Sequence, residues 1–427
     1  MKPPRGPVHA AAGGMQAASA SASASVKVGT TLAIASAWSV YLPLGLQYAC
    51  YVLAALLASL AVWQNRRWGD LLRSSVLWAT GSLWLLLFVS MVWSTAPRSD
   101  IASHLWHYGR LLWVPVIALA CAPQIAQRGL RHFVAASALV GALIALEALN
   151  ALPPSPLWSS TVTASGNQRI ATSMLLALGA SLALAQAVDR AQPRLRRALW
   201  LSAAVVTMTG LALQDRRTGL LALPVLLALL AATHQRSWRR AIAWLGGVVV
   251  LAVLAWNSVD GIKARFVEGW AELRSYQSSG VVDTSWGMRV RMATLTMEMV
   301  RDRPLLGHGI GSWLGLWQAR AQGGGRLLEE QLTPHNEYLL IAEQVGLIGL
   351  SLWFAVLVTH LTQAWRAGRT GDASLLIWTT IAWSALFNVV VRDAKFAVPM
   401  LLLAALAQAA YRNDPEGMTE VDRSGRR

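Results

Sequence analysis

The chain has 427 residues, 55% of them apolar and only 14% charged, with a mean hydropathy of +0.43. That balance excludes an ordinary soluble protein of this size, because apolar runs near twenty residues recur along the whole length. The net charge of +16 would suit a nucleic-acid binder only if it were clustered, and it is scattered through short loops instead.

In lipid every backbone N–H and C=O must be satisfied within the protein, and the runs are too long and too continuously apolar for barrel strands. The sequence therefore predicts an all-α integral membrane protein. Cys50 and Cys121 fall in or beside different apolar runs with no CxxC or Cys/His spacing, and read as small buried hydrophobes.

Residues 1–27 are Pro/Gly-rich and then an Ala/Ser repeat, the composition of a disordered cytoplasmic N-terminus. The repeat precedes the first apolar run, so it does not read as a cleavable leader. About twelve transmembrane helices follow from the apolar pattern. They lie near 28–43, 45–63, 76–93, 108–123, 132–149, 170–188, 197–214, 218–234, 240–256, 337–361, 373–391 and 394–411. Nine fall in 28–256 and three in 337–411, on either side of a large polar loop at 257–336. The cytoplasmic tail is 412–427.

One set of short loops carries most of the arginines: Arg66, Arg67, Arg73, Arg128, Arg131, Arg190, Arg194, Arg196, Arg197, Arg236, Arg239, Arg240, Arg366 and Arg369. The opposite loops hold few, so both termini are expected inside and the 257–336 loop outside. Many tryptophans mark span edges, Trp63, Trp93, Trp113, Trp158, Trp200, Trp256 and Trp365 among them, where an amphipathic ring suits the headgroup layer. Trp270, Trp286, Trp313 and Trp317 lie in the large loop, where they could stack on sugar but read mainly as packing the loop onto itself.

Within that loop, 260–278 places Ile262, Phe266, Val267, Trp270, Leu273 and Tyr276 on roughly one helical face. A second helix is expected over 285–303, stopped by Pro304. The following Pro304-Leu305-Leu306-Gly307-His308-Gly309-Ile310-Gly311 demands a tight backbone. It looks like a phosphate-cradling loop, but no strand precedes it and no Lys follows. Acidic and basic residues in the loop nearly cancel, so an anion site must use selected arginines.

Thr333-Pro334 reads as a helix N-cap and first residue, placing His335 in the first turn of a membrane helix at the outer edge. The positive helix end disfavours imidazolium there and leaves a ring able to accept a proton. The bland alternative is an interfacial histidine that only packs. Gln214-Asp215-Arg216-Arg217-Thr218-Gly219 leaves almost no loop between two spans, forcing an arginine to membrane depth, where Arg forks suit phosphate oxygens. A salt bridge to Asp215 is the alternative, more for Arg216 than for Arg217. Arg169 is a similar candidate. Arg392 and Asp393 fill a tight turn, where Asp393 can orient a histidine, neutralise an arginine, or pair with Arg392 or Lys395. Paired carboxylates of metal-binding type are missing from this set, so arginines rather than a metal are expected to neutralise any pyrophosphate, and no cofactor is expected.

At these residues the chain resembles the O-antigen ligase family of bacterial lipopolysaccharide assembly. The likeness rests on Arg217-Thr218-Gly219, on Gly287-Met288-Arg289 with the Pro304–Gly311 segment, and on Pro334-His335-Asn336-Glu337-Tyr338 running into Gly346-Leu347-Ile348-Gly349. The resemblance implies a GT-C type glycosyltransferase of the inner membrane with its site facing the periplasm. It would move O-antigen polysaccharide from undecaprenyl pyrophosphate to lipid A–core oligosaccharide. It also implies Arg217 and Arg289 on the pyrophosphate, His335 as base and Asp393 in support, with Asn336 beside them. O-antigen polymerases and protein O-oligosaccharyltransferases share these motifs. A transporter or flippase would instead show an inverted repeat and mid-membrane charges, which are not evident.

Overall fold

The computed structural model describes residues 29–411, apart from 154, 163–165, 215–216, 235–241, 243–245, 248–259, 280–282 and 324. Among the described residues there are helices and turns and no strand. Six helices are long and apolar enough to cross a membrane: Leu44–Gln64, Ser75–Val92, Pro123–Ala148, Gly166–Val188, Glu337–Arg366 and Ala394–Tyr411. Thr218–His234 is a shorter apolar helix. The chain is thus multi-pass. The expectation of about twelve spans meets six helices that qualify by themselves, and the ninth stretch, 240–256, falls largely outside the described residues.

The difference has local causes. The stretch near 108–123 is not one span: an amphipathic helix Arg98–Gly109 runs through a 3₁₀ turn at Arg110–Leu112 into the short helix Trp113–Ala120. Arg110 dictates the break. Its guanidinium is buried, donating to the carbonyls of His107 (2.9 Å), Val391 (2.7 Å) and Arg392 (3.1 Å) and to the Tyr48 hydroxyl (2.9 Å). Likewise 373–391 is helical only over Asp372–Ser384, and its remainder forms the turn that reaches Asp393.

Gly166–Val188 and Ala394–Tyr411 lie at the centre, buried along most of their length, while Leu44–Gln64 and Ser75–Val92 are peripheral and expose leucines outward. That is the inverse of a soluble bundle in one respect: lipid accepts the exposed apolar face, so no driving force hides it.

The longest helix, Glu337–Arg366, is broken at Val345–Gly346, where Gly346 adopts φ +67°. The break is filled by Pro304–Gly311. His308 and Gly309 N–H groups donate to the Glu343 and Gln344 carbonyls (2.9 and 2.8 Å), and the Leu347 N–H donates to the Pro304 carbonyl (2.8 Å). The Ile310 N–H donates to the Ser90 hydroxyl (3.0 Å) and the Gly311 N–H to Gln344 Oε1 (2.7 Å). These amides are committed to helix carbonyls and buried side chains, so the three-glycine segment is a plug for a broken helix and not a phosphate cradle.

The polar loop carries its own core. Met292, Leu295 and Met299 of Ser285–Asp302 pack with Trp313 and Trp317, whose rings stack 5.1 Å apart. Trp313 Nε1–H donates to Thr296 Oγ1 (3.0 Å) and Trp317 Nε1–H to the Leu328 carbonyl (3.1 Å), confirming these two as packing residues. Trp270 is exposed on Asp260–Ser279, with the Arg274 guanidinium 5.5 Å from its ring centre.

A Cβ at Gly346 would lie 2.1 Å from the Leu305 carbonyl oxygen, in a backbone conformation that L-residues rarely adopt. Gly346→Ala is expected to cost more than about 2 kcal/mol, read as a lowered Tm in detergent. An unchanged Tm would refute the plug.

Candidate functional site

The turn that carries His335 is set by its neighbours. The N-cap of Glu337–Arg366 is Asn336, not Thr333: Asn336 Oδ1 accepts from the Leu339 N–H (3.0 Å) and its Nδ2 donates to the Leu386 carbonyl (3.1 Å). Asn outranks Thr as a cap, and here its amide also ties the helix start to the neighbouring turn. Asn336 is therefore a positioning residue. His335 is pushed out of the helix into the left-handed region, φ +49°, which His tolerates better than bulkier residues. The expectation of His335 in the first helical turn is corrected accordingly.

Glu337 then stitches three segments together. It is wholly buried; Oε1 accepts from the Tyr108 hydroxyl (2.5 Å) and Oε2 from the Val391 N–H (2.8 Å). Its own N–H donates to the Ala385 carbonyl (2.9 Å). Tyr108 belongs to Arg98–Gly109, and Val391 precedes Arg392 and Asp393. One carboxylate thus holds the two turns and the amphipathic helix around a common space.

That space is a cavity of about 470 Å³ whose wall includes His107, Asn167, Gln331, His335, Arg392 and Asp393. His335 Nε2 lies 3.3 Å from Gln331 Oε1, an acceptor, so the ring proton belongs on Nε2 and the lone pair on Nδ1. Burial lowers the His335 pKa to about 4, with the positive charge of Arg289 adding to the effect and Asp393 opposing it. The ring is neutral at pH 7, for that reason rather than through a helix dipole. His107 is also lowered to about 4, by burial and then by Arg110 and Arg392.

Asp393 is held by Asn167 Nδ2–H (2.8 Å) and by the Lys395 N–H (3.0 Å). The partners of Asp393 are thus Asn167 and a backbone amide, where the sequence offered a histidine or a cationic side chain. Arg392 is oriented by a residue that sequence reasoning missed. Its Nε–H donates to His104 Nε2 (3.0 Å), and His104 Nδ1–H in turn donates to Gln344 Oε1 (2.9 Å), the same atom that accepts from Gly311. Burial, and then the charge of Arg392, lower the His104 pKa to about 3, keeping it an acceptor for the guanidinium. Arg392 is thus held at the cavity wall by a neutral ring and not by a carboxylate. The available signal was His104, His107 and Arg110 gathered within one short stretch just ahead of an apolar run.

The other predicted residues divide. Arg289 is half-buried on Ser285–Asp302, which Thr284 caps by accepting from the Gly287 N–H (3.0 Å), and its charge reaches His335. Arg169 lies on the same helix start as Asn167, half-buried, with a buried Nε that has no hydrogen-bond partner among the described residues. Arg217 opens the helix Arg217–His234, and two residues on, Gly219 lets that end press on the Ser173 backbone. Ser173 is about 9 Å along its helix from Asn167. Arg216 lies outside the described residues. Elsewhere in the loop, Arg320 pairs with Asp302 and Arg326 with Glu330, both at 2.7 Å, so these arginines are taken locally. Among the described residues no three His, Cys, Asp or Glu side chains gather as a metal set.

The cavity wall combines a neutral imidazole, a carboxylate and the Arg392 guanidinium, with the charge of Arg289 acting on the imidazole, an arrangement able to take a proton beside an anion. No curated protein matches the chain. A family model described as O-antigen ligase matches residues 202–354, a span that contains Arg217, Arg289 and His335 and ends before Arg392 and Asp393. That match covers about a third of the chain, and over this segment the chain is similar to the O-antigen ligase family.

Proposed function

We propose that the chain is an O-antigen ligase, transferring O-antigen polysaccharide from undecaprenyl pyrophosphate to a sugar hydroxyl of lipid A–core oligosaccharide at the periplasmic face of the inner membrane. The observation that carries this reading is the cavity where neutral His335 meets Arg392 and Asp393 under the charge of Arg289, within and beside the family match. His335 Nδ1 accepts the proton of the acceptor hydroxyl as its oxygen attacks the anomeric carbon. The bond from that carbon to the pyrophosphate oxygen breaks in line, with inversion. Asp393, whose charge favours imidazolium, stabilises the protonated ring as it forms.

The leaving pyrophosphate is already a stable anion, so no general acid is required of the protein. What must be supplied is preorganised positive charge. Arg289 and Arg392 serve at the cavity, and Arg169 and Arg217 at the adjoining helix starts. Each such group in a water-poor site contributes on the order of a few kcal/mol to transition-state stabilisation. Fork geometry matters, because a guanidinium meets two phosphate oxygens where an ammonium meets one.

His335→Ala is expected to lower transfer by roughly 10²–10⁴-fold while donor binding persists. Wild-type-like turnover removes the base assignment. For kcat/KM the basic form is the active one, so the rate falls as pH drops through about 4. Arg289→Ala removes a cause that lowers the His335 pKa, so the acid limb should move to higher pH; Asp393→Asn removes a cause that raises it, so the limb should move lower. Identical limbs in the variants would uncouple these groups from His335. Arg289→Lys and Arg392→Lys should rescue poorly, and EDTA should leave transfer intact; strict metal dependence would overturn the role given to the arginines. The deciding assay mixes purified protein with lipid-linked O-antigen and core lipopolysaccharide and reads a ladder of capped product. Elongated lipid-linked glycan instead would make the chain a polymerase, and a glycosylated protein acceptor an oligosaccharyltransferase.

A further inference from the structure

The opposite end of the bundle, where the short loops carry most of the arginines, holds a second constructed space. Helices Pro123–Ala148 and Arg194–Leu213 touch at Gly141 and Gly210, where a Cβ on Gly210 would lie 2.4 Å from the Gly141 Cα. Nothing larger than glycine permits that contact, and it fixes where the pair meets. Away from the contact, toward Arg131 and Arg196, a cavity of about 520 Å³ opens between them. Its wall is apolar, with Ala135, Ala138, Leu199 and Ala203 along the sides. Alanine at three of these positions leaves width for a hydrocarbon chain.

The rim is polar and ordered. Trp200 Nε1–H donates to Gln192 Oε1 (3.2 Å), and Gln192 Nε2–H donates to Gln186 Oε1 (2.7 Å). Arg131 and Gln186 also line an adjoining cavity of about 340 Å³ that holds several charged side chains. The acids of that second space are engaged there: Asp372 lies 3.2 Å from His234, and Asp189 lies 3.7 Å from Arg369. Arg131 and Arg196 are exposed, and the Arg131 Nε–H is turned back to the Gln127 carbonyl (3.3 Å), presenting its terminal nitrogens.

We infer that this groove is a binding site for an anionic glycerophospholipid, with one acyl chain between the two helices and the phosphodiester on Arg131 and Arg196. An apolar slot between membrane helices, closed at one end by a glycine crossing and rimmed at the other by arginines and an indole, matches a lipid in both polarity and order. Two arginines with no carboxylate among the lining residues of the apolar cavity favour a net anionic headgroup over a zwitterionic one. The site lies apart from the His335 cavity and does not depend on the reaction proposed for it.

The test is native mass spectrometry of the full-length protein in detergent, titrated separately with phosphatidylglycerol, phosphatidylethanolamine and inorganic phosphate. Phosphatidylglycerol should be retained at least about tenfold better than phosphatidylethanolamine, and the double variant Arg131→Ala/Arg196→Ala should erase that preference. Ala138→Phe, which fills the slot and leaves both arginines, should lose the lipid while the protein stays folded by Tm. Equal retention of the two lipids, unchanged binding in either variant, or equal stabilisation by inorganic phosphate would each overturn the assignment.

Discussion

The geometry of the candidate site depends on a single buried carboxylate. Glu337 is wholly enclosed, a costly place for an acid, and hydrogen bonds from Tyr108 and the Val391 amide offset that cost. Its three attachments are the elements that furnish the cavity. His335 stands two residues before it, Arg392 and Asp393 follow Val391, and His104 and His107 share a helix with Tyr108. Removing the carboxylate would leave a buried hydroxyl and a buried amide unpaired, and would release all of these groups at once.

A second constraint comes from lipid itself. A helix cannot break in a membrane unless its freed carbonyls find donors, and Pro304–Gly311 supplies them at Glu343 and Gln344. The same plug reaches the site. Gln344 Oε1, held by the Gly311 amide, also accepts from His104, and His104 orients Arg392. The break in the helix is therefore structurally continuous with one of the cations at the cavity.

The electrostatics follow from this packing. His104, His107 and His335 are all held neutral, burial being the leading cause in each, with nearby arginines adding to it. Neutral rings beside guanidinium groups give a positive field without spending it on carboxylate pairs, as Arg320 and Arg326 do farther out. A base that remains unprotonated beside an anion-binding surface suits transfer from a pyrophosphate. The other end of the bundle uses its arginines differently, on a groove shaped by Gly141 and Gly210.

The apolar runs alone determined that the chain is helical and multi-pass, since lipid permits few backbone solutions and the runs were too long for strands. They also located the polar loop and brought His335 and Asp393 forward, because charge and glycine clusters stand out against an apolar background, while Arg289 came forward only through the resemblance to the O-antigen ligase family. Only tertiary structure decided which residue capped the long helix, that Arg110 turned inward near the start of an expected span to reach a carbonyl 281 residues away, and that three glycines served a helix break. It alone brought out His104, and the bond by which His104 orients Arg392. Those outcomes rest on hydrogen bonds between distant segments, and local propensity carries no record of a partner that the chain meets only after it has folded.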